Sequence, residues 1–150
     1  KSAEDFSGLH GAFEISIRNA DKPSLDYLTL NERLEGITSH PVWITNTPTF
    51  EEKAQLFPKT VFALGADTVK RIAELRFYNH NPLLMEKAFE QLTAQNIKFL
   101  VFGRVIGDKY EALGDLNLPS ELVSICKEIP EELFRMDLSS TALRKKVTEQ

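Results

Sequence analysis

Four residues near the end of the chain have the types and the spacing of a phosphate-binding helix start. They are Ser139, Ser140, Thr141 and Arg144, in the segment LSSTALR. The first amides of a helix lack partners within the helix and carry the positive end of its dipole, so hydroxyls there add donors for phosphate oxygens. Arg144 follows Thr141 by one helical turn, which predicts that its side chain lies on the same face.

Ordinary helix capping explains the same segment without a ligand. Asp137 or Ser139 would then cap the helix, and Arg144 would belong to a solvated basic face with Lys145 and Lys146. Because short capping patterns are common, the segment taken alone favours the cap. The phosphate interpretation therefore needs support from other parts of the chain.

That support comes from residues that directly follow predicted strands. Gly65 and Asp67 lie in ALGADT, Arg104 ends FLVFGR, and Lys22 follows the first predicted strand. A glycine at a strand end permits close approach of the backbone to a ligand, and a nearby carboxylate can accept hydrogen bonds from sugar hydroxyls. A cation at a strand end can pair with phosphate. Together these residues predict one ligand-binding rim.

Each of these residues also has a purely structural interpretation. Asp67 at the start of a helix is typical of an N-cap, and this interpretation is about as strong as the ligand-binding one. Arg104 can pair with a nearby acid such as Asp108 instead of a phosphate. The sequence leaves both alternatives open.

The elements that would position this rim alternate along the chain. Nearly continuous apolar runs are typical of strands covered on both faces, and helices between them supply the crossovers of a parallel sheet. The predicted strands are residues 12–17, 42–45, 60–64 and 97–103, with a weaker one at 133–136. The predicted helices are residues 28–37, 49–57, 68–75, 82–96 and 119–129, and a closing one at 140–149.

This order predicts an α/β fold with a Rossmann-like, doubly wound parallel sheet in three layers. Ligands of such sheets bind outside the carboxyl ends of the strands, where Gly65, Asp67, Arg104 and the Ser139 helix start would meet. Residues 105–119 form the longest stretch with no predicted element and are expected to be a loop.

Composition limits the classes of function. A chain of 150 residues with 42% hydrophobic and 27% charged residues predicts a single globular domain over residues 1–150. The net charge of −4 argues against nucleic-acid or anionic-membrane partners. The single cysteine, Cys126, and the lack of a membrane-spanning or signal-like stretch favour the cytoplasm. His10, His40 and His80 are too far apart in sequence to predict a metal site.

In its ordered segments the sequence resembles the nucleotidylyltransferase superfamily, in the branch of nicotinamide or nicotinate mononucleotide adenylyltransferases and cytidylyltransferase-like proteins. LSSTALR is similar to the I-S-S-T-x-x-R signature of that family, LGADT to its G-x-D segment, and FLVFGR to its strand that ends in arginine. NADKPSLDY, with Arg33 shortly after it, resembles the substrate loop and following helix of some members. The resemblance covers roughly residues 13–147.

The resemblance implies transfer of an adenylyl or cytidylyl group from ATP or CTP to a mononucleotide or related small phosphorylated substrate, with release of pyrophosphate. Ser139, Ser140, Thr141 and Arg144 would hold the triphosphate, and Mg²⁺ would bridge its oxygens. Gly65 and Asp67 would bind ribose or the acceptor. Lys22 and Arg104 would face phosphate. The choice between ATP and CTP stays open, as does homo-oligomerisation.

One family motif does not occur in these 150 residues. The H-x-G-H signature follows the first strand of the family, where its histidines stabilise the nucleotide phosphates in the transition state. The chain starts with Lys1, and GLHGAF matches the point after the first family helix, so the first strand and the H-x-G-H loop are expected upstream. The segment alone would then be inactive. The alternative is a non-catalytic nucleotide-binding regulatory or assembly module.

Overall fold

Strands and helices alternate over residues 1–133, the part of the chain that the computed structural model describes. The helices are α1 Ser2–Ser7, α2 Tyr27–Glu35, α3 Phe50–Leu56, α4 Ala66–Ile72, α5 Pro82–Ala94 and α6 Ser120–Ser124. The strands are β1 Phe13–Ser16, β2 Val42–Thr45, β3 Val61–Gly65, β4 Lys98–Phe102, β5 Arg104–Ile106, β6 Lys109–Glu111 and β7 Cys126–Ile129. Short 3-10 helices cover Leu75–Tyr78 and Leu113–Asp115.

The strands form two small parallel sheets and one antiparallel hairpin. β1 pairs with β2 in parallel, and β4 lies between β3 and β7 in a second, all-parallel sheet. Gly65 at the end of β3 lies opposite Phe102 at the end of β4. The chain is therefore mixed α/β, and the predicted parallel pairing of residues 60–64 with residues 97–103 is confirmed.

The hydrophobic core lies around β4 and α5. Phe99 and Val101 of β4 are fully buried, as expected for a central strand with a continuous apolar run. α5 begins with Pro82 in its first turn after the cap Asn81, and it buries Phe89 against this strand layer. One face of α5 and both faces of β4 are buried. The carboxyl ends of β3 and β4 therefore rest on a rigid base.

The predicted helix over residues 119–129 is partly wrong. Helix α6 ends at Ser124, and the following residues form strand β7 along the free edge of β4. Pairing with β4 satisfies the backbone groups of this segment and outweighs the helical pattern of its sequence. Cys126 lies in this segment and begins β7, where it is half-buried against the core.

The expected loop over residues 105–119 is also wrong in its first part. β5 and β6 form a hairpin, with Gly107 and Asp108 between them. Gly107 has a φ of 66°, a left-handed conformation that glycine adopts at low cost and that favours a tight hairpin turn. The hairpin extends directly from the end of β4, so it lies next to the predicted rim.

The small β1 and β2 sheet leaves much of its apolar surface exposed. Trp43 is 57% exposed, and Phe13 and Ile44 are also about half exposed. Trp43 has an aromatic contact with Phe57 at one edge of its ring. Within residues 1–133 no helix combines the length and the apolar character needed to cross a membrane.

Candidate functional site

The carboxyl ends of β3 and β4 bring together three of the predicted site residues. Gly65 ends β3, Asp67 lies in the first turn of α4, and Arg104 begins β5 just after β4. Arg104 Nη1 donates to Asp67 Oδ1 at 3.2 Å and lies 3.5 Å from Oδ2. The predicted convergence of these residues on one edge of the sheet is confirmed, and we call this group the Gly65 rim.

The missing side chain of Gly65 leaves space for two neighbouring side chains. Its φ of −79° is open to any residue. A Cβ at Gly65, however, would lie 2.8 Å from Arg104 Cδ and closer still to the Asp67 carboxylate. The sequence predicted that a ligand would approach the backbone at Gly65. In the structure the ion pair of Asp67 and Arg104 occupies that space, directly over the strand end.

The structural alternatives for these residues are resolved by the geometry. Helix α4 starts at Ala66 with Gly65 as its N-cap residue, so Asp67 is not the cap. Arg104 pairs with an acid, as its structural interpretation predicted, but the acid is Asp67 and not Asp108. A second ion pair, between Lys70 of α4 and Glu111 of β6 at 3.5 Å, holds the hairpin beside the same helix.

The remaining predicted residues are not part of this group. Lys22 is exposed in the segment after β1 and makes no ion pair with any residue in the described range. Ser139, Ser140, Thr141 and Arg144 lie outside the described residues. Residues 1–133 contain no cluster of three or more His, Cys, Asp or Glu side chains able to hold a metal ion.

A cavity of about 320 Å³ lies at the carboxyl end of β1, and we call it the β1 cavity. Neither Lys22 nor any residue of the Gly65 rim lines it. Its cationic lining residues are Arg18, Arg33, Lys53 and Arg71. The sequence analysis missed this cavity, although Arg18 directly follows the first predicted strand and so carried the same signal as Arg104.

Ion pairs across the β1 cavity fix α3 and α4 relative to β1. Lys53 Nζ of α3 lies 2.6 Å from Glu14 Oε2 of β1, and the side chains are only 9% and 20% exposed. Thr45 of β2 donates to the other oxygen of Glu14. On the opposite side, Arg71 of α4 binds Asp21 at 2.6 Å.

Tyr78 supplies part of the wall of the β1 cavity. Its hydroxyl donates to the Ile72 carbonyl at 2.9 Å, and burial raises its pKa above the usual value for tyrosine. The phenol is therefore a fixed, protonated donor that stabilises the wall. It does not supply an acid or a base at neutral pH.

A second and larger cavity, of about 760 Å³, separates β1 from β3. Phe13 and Glu14 line it on one side and Ala63 on the other, with Trp43 nearby. Within residues 1–133, β1 pairs only with β2, and β3 pairs only with β4. This cavity, the β1/β3 cleft, therefore lies between two strand edges.

Comparison with protein-family models, with curated proteins and with solved structures finds no match for this chain.

Proposed function

We propose that this chain is a nucleotidylyltransferase-type domain. It transfers an adenylyl or cytidylyl group from a nucleoside triphosphate to a mononucleotide or related phosphate and releases pyrophosphate. The observation that carries the proposal is the convergence of Gly65, Asp67 and Arg104 at the carboxyl edge of two parallel strands. Ligands of α/β sheets bind at this edge.

The reaction needs no protein nucleophile. An oxygen of the acceptor phosphate attacks the α-phosphorus, a new P–O bond forms, and the bond to the β-phosphate breaks as pyrophosphate leaves. The protein contributes positioning and neutralisation of the charge on the phosphates. This role belongs to Arg104, Lys22 and Arg144 and to the hydroxyls of Ser139, Ser140 and Thr141. Gly65 and Asp67 bind ribose or the acceptor.

The ion pair at the Gly65 rim leaves binding capacity on both partners. A guanidinium group has five N–H donors, and Asp67 engages only one nitrogen of Arg104. The Asp67 side chain is 42% exposed and the Arg104 side chain 28% exposed, so both are open to solvent. The free donors of Arg104 suit a phosphate, and the second lone pairs of Asp67 suit ribose hydroxyls.

Mg²⁺ is the cofactor of this proposal. The ion would enter the site bound to the triphosphate and not through a cage of protein ligands, since Mg²⁺ usually binds substrate phosphates and water. When bound, it neutralises charge on the phosphate oxygens.

The β1/β3 cleft supports the finer fold, a three-layer Rossmann-like sheet. One further strand placed in the cleft would join the two small sheets into a single sheet in the order β2, β1, added strand, β3, β4, β7. The exposed Ala63 in the middle of β3 and the exposed Phe13 of β1 would then be covered. In our proposal this strand and the H-x-G-H loop precede Lys1.

The second candidate is a nucleotide-binding regulatory or assembly module without transfer activity. This candidate would lack the H-x-G-H histidines, which stabilise the nucleotide phosphates in the transition state of the family that the chain resembles. Both candidates bind nucleotide at the Gly65 rim. They differ only in whether pyrophosphate is released.

Calorimetry of ATP and CTP binding with Mg²⁺ tests the site that both candidates share. The titrations compare the chain with its variants Arg104→Gln and Arg144→Ala. Removing one charge-assisted contact should weaken triphosphate binding by roughly 1.5 to 3 kcal/mol, or about one to two decades in Kd. Lys109→Gln is the matched control, since Lys109 is an exposed cation of the same hairpin. Unchanged affinity in both folded variants would remove the site and the proposal with it.

A further inference from the structure

Ser39, His40 and Glu4 form a chain of hydrogen bonds that runs from a hydroxyl through an imidazole to a carboxylate. Ser39 Oγ lies 2.7 Å from His40 Nδ1, and His40 Nε2 lies 3.1 Å from Glu4 Oε2. Ser39 and His40 lie between α2 and β2, whereas Glu4 belongs to α1. We call these three residues the Ser39 triad. Its serine and histidine line neither the β1 cavity nor the β1/β3 cleft.

The carboxylate end of the Ser39 triad determines which ring nitrogen carries the proton. The Gly11 amide donates to Glu4 Oε1 at 2.7 Å. This bond and the one from His40 lower the pKa of Glu4 to about 2, so the carboxylate is ionised at neutral pH and only accepts hydrogen bonds. In the neutral imidazole, Nε2 then carries the proton and Nδ1 has the free lone pair. That lone pair faces the Ser39 hydroxyl, so His40 is placed to take its proton.

Local contacts hold the imidazole between its two partners. Pro41 restricts the backbone of His40, because the residue before a proline is confined to extended conformations. The Pro41 carbonyl accepts a hydrogen bond from the Phe13 amide at 2.8 Å, which ties this segment to the start of β1. The Phe13 ring contacts the His40 ring edge-on, with the ring centres 5.7 Å apart. The base is therefore fixed before any substrate arrives.

The hydroxyl end of the Ser39 triad is open to solvent. Ser39 is exposed, so a substrate reaches its Oγ without rearrangement of the chain. The backbone amides of Ser39 and His40 donate to no residue between 1 and 133. Because the amide of a serine lies close to its own Oγ, it is available to stabilise the oxyanion that forms when Oγ attacks a carbonyl group. Nucleophile, base, orienting carboxylate and oxyanion donor are the groups that acyl transfer needs.

The two ring nitrogens have the reverse of their usual roles in serine hydrolases, where Nε2 faces the serine and Nδ1 faces the acid. Either nitrogen serves as the base, because the hydrogen bond made by the other nitrogen sets the tautomer. Nδ1 is the ring nitrogen closer to the backbone, which suits a serine directly before the histidine in sequence. The exchange therefore follows from the adjacency of Ser39 and His40.

We propose that Ser39 is the nucleophile of a second activity, the hydrolysis of small carboxylic esters. The Oγ atom attacks the carbonyl carbon while its proton passes to His40 Nδ1. The bond to the alcohol oxygen then breaks, and the alcohol leaves with that proton. Water attacks the ester formed on Ser39, gives its proton through Nδ1 to Oγ, and releases the carboxylic acid.

The position of the Ser39 triad limits the substrate and the role of each member. Ser39 lies on the surface and lines neither cavity, so it suits a small ester with a good leaving group and not an extended chain. Glu4 is a positioning residue, since it keeps Nε2 protonated and does not touch the substrate. The activity needs no nucleotide and stands whether or not the chain is a transferase.

Covalent labelling with a fluorophosphonate tests the nucleophile. Oγ attacks the phosphorus, an O–P bond forms, and fluoride leaves while the proton passes to His40. Peptide mass spectrometry should place the label on Ser39, about a hundredfold or more faster than on Ser120. Ser120 is the matched control, because it is an exposed serine whose hydroxyl bonds to the Glu121 carboxylate and not to an imidazole. No label on Ser39, or equal labelling of Ser120, would overturn the inference.

Hydrolysis of p-nitrophenyl acetate tests turnover against the reactivity of other surface groups. Ser39→Ala and His40→Gln should each lower the rate above that of buffer by about a hundredfold or more. His80→Gln removes another exposed imidazole and should leave the rate unchanged. If Ser39→Ala hydrolyses the ester as fast as the wild type, the reaction occurs at other side chains and the inference is wrong.

Glu4→Gln tests the positioning role by a readout other than turnover. Glutamine still accepts from the Gly11 amide, but its own amide nitrogen donates to Nε2 and moves the ring proton to Nδ1. Ser39 then faces a protonated nitrogen, and its labelling should slow by about a hundredfold or more while circular dichroism shows the fold retained. Nitrogen NMR of His40 should show Nε2–H in the wild type and Nδ1–H in Glu4→Gln. Unchanged labelling in the variant, or an Nδ1–H tautomer in the wild type, would overturn the assignment.

Discussion

At the scale of single residues, the sequence predicted which side chains meet but not how they meet. Gly65, Asp67 and Arg104 were predicted to converge because each follows a strand of one parallel sheet, and they do. The ion pair between Asp67 and Arg104 was not predicted. Arg104 begins the hairpin of β5 and β6, in a part of the chain where a loop was expected.

Gly65→Ala should destabilise the protein by about 1 to 2 kcal/mol, because the new methyl group would overlap the side chains above it. Urea denaturation measures the change. Gly114→Ala is the control, since the nearest atom to a Cβ there is 4.0 Å away. In an Arg104→Ala background Gly65→Ala should cost clearly less, and an equal cost in both backgrounds would show that the overlap is not with Arg104.

At the scale of elements, predictions succeeded where hydrophobic pattern and length agreed. α5, with 13 residues and a proline at its start, was predicted almost to its ends. The pattern failed for Cys126–Ile129, because a short segment with two apolar ends and two charged residues fits a helix turn and an edge strand equally well. Only the free edge of β4, a long-range feature, decides between them.

Lys53→Met should destabilise the protein by about 3 kcal/mol, because it leaves the half-buried Glu14 carboxylate without its cation. Adding Glu14→Gln should recover most of this loss, since glutamine is uncharged and still accepts the hydrogen bond from Thr45. Arg18→Gln is the control and should change stability by less than about 0.5 kcal/mol, because its ion pair with Glu52 is exposed. Chemical denaturation of the wild type and these three variants checks the prediction, and equal losses for Lys53→Met and Arg18→Gln would contradict it.

The docking of α1 should depend on acid pH. Hydrogen bonds from the Gly11 amide and from His40 lower the pKa of Glu4 from its ordinary 4.5 to about 2. A lowered pKa means that this contribution to stability is complete above pH 4.5 and is lost as the pH falls toward 2. Glu4→Gln should therefore reduce the loss of unfolding free energy over that range. Asp5→Asn is the control, and an equal pH slope in Glu4→Gln and wild type would refute the assignment.

At the scale of the whole molecule, alternation of strands and helices predicted parallel sheets but not their division into two. Pattern analysis assigns each strand an expected face and partner along the chain. It does not show that β1 and β3 lie on opposite sides of a cleft of about 760 Å³. The exposed apolar side chains of β1 and β2, Phe13, Trp43 and Ile44, are the cost of this division, since they would be covered in a continuous three-layer sheet.

The whole-molecule proposal predicts that residues 1–150 alone release little or no pyrophosphate from ATP or CTP. In the proposal, a longer protein that contains the added strand and the H-x-G-H loop is active. Trp43 is the only tryptophan of the 150 residues and lines the β1/β3 cleft, so it reports on that strand directly. Its fluorescence emission should shift to shorter wavelength in the extended chain, because the added strand removes the indole ring from water. Any upstream tryptophan is replaced by phenylalanine for this measurement. Substantial turnover by residues 1–150 would show that the chemistry lies elsewhere. Unchanged Trp43 emission in an active extended chain would show that the strand does not insert in the cleft.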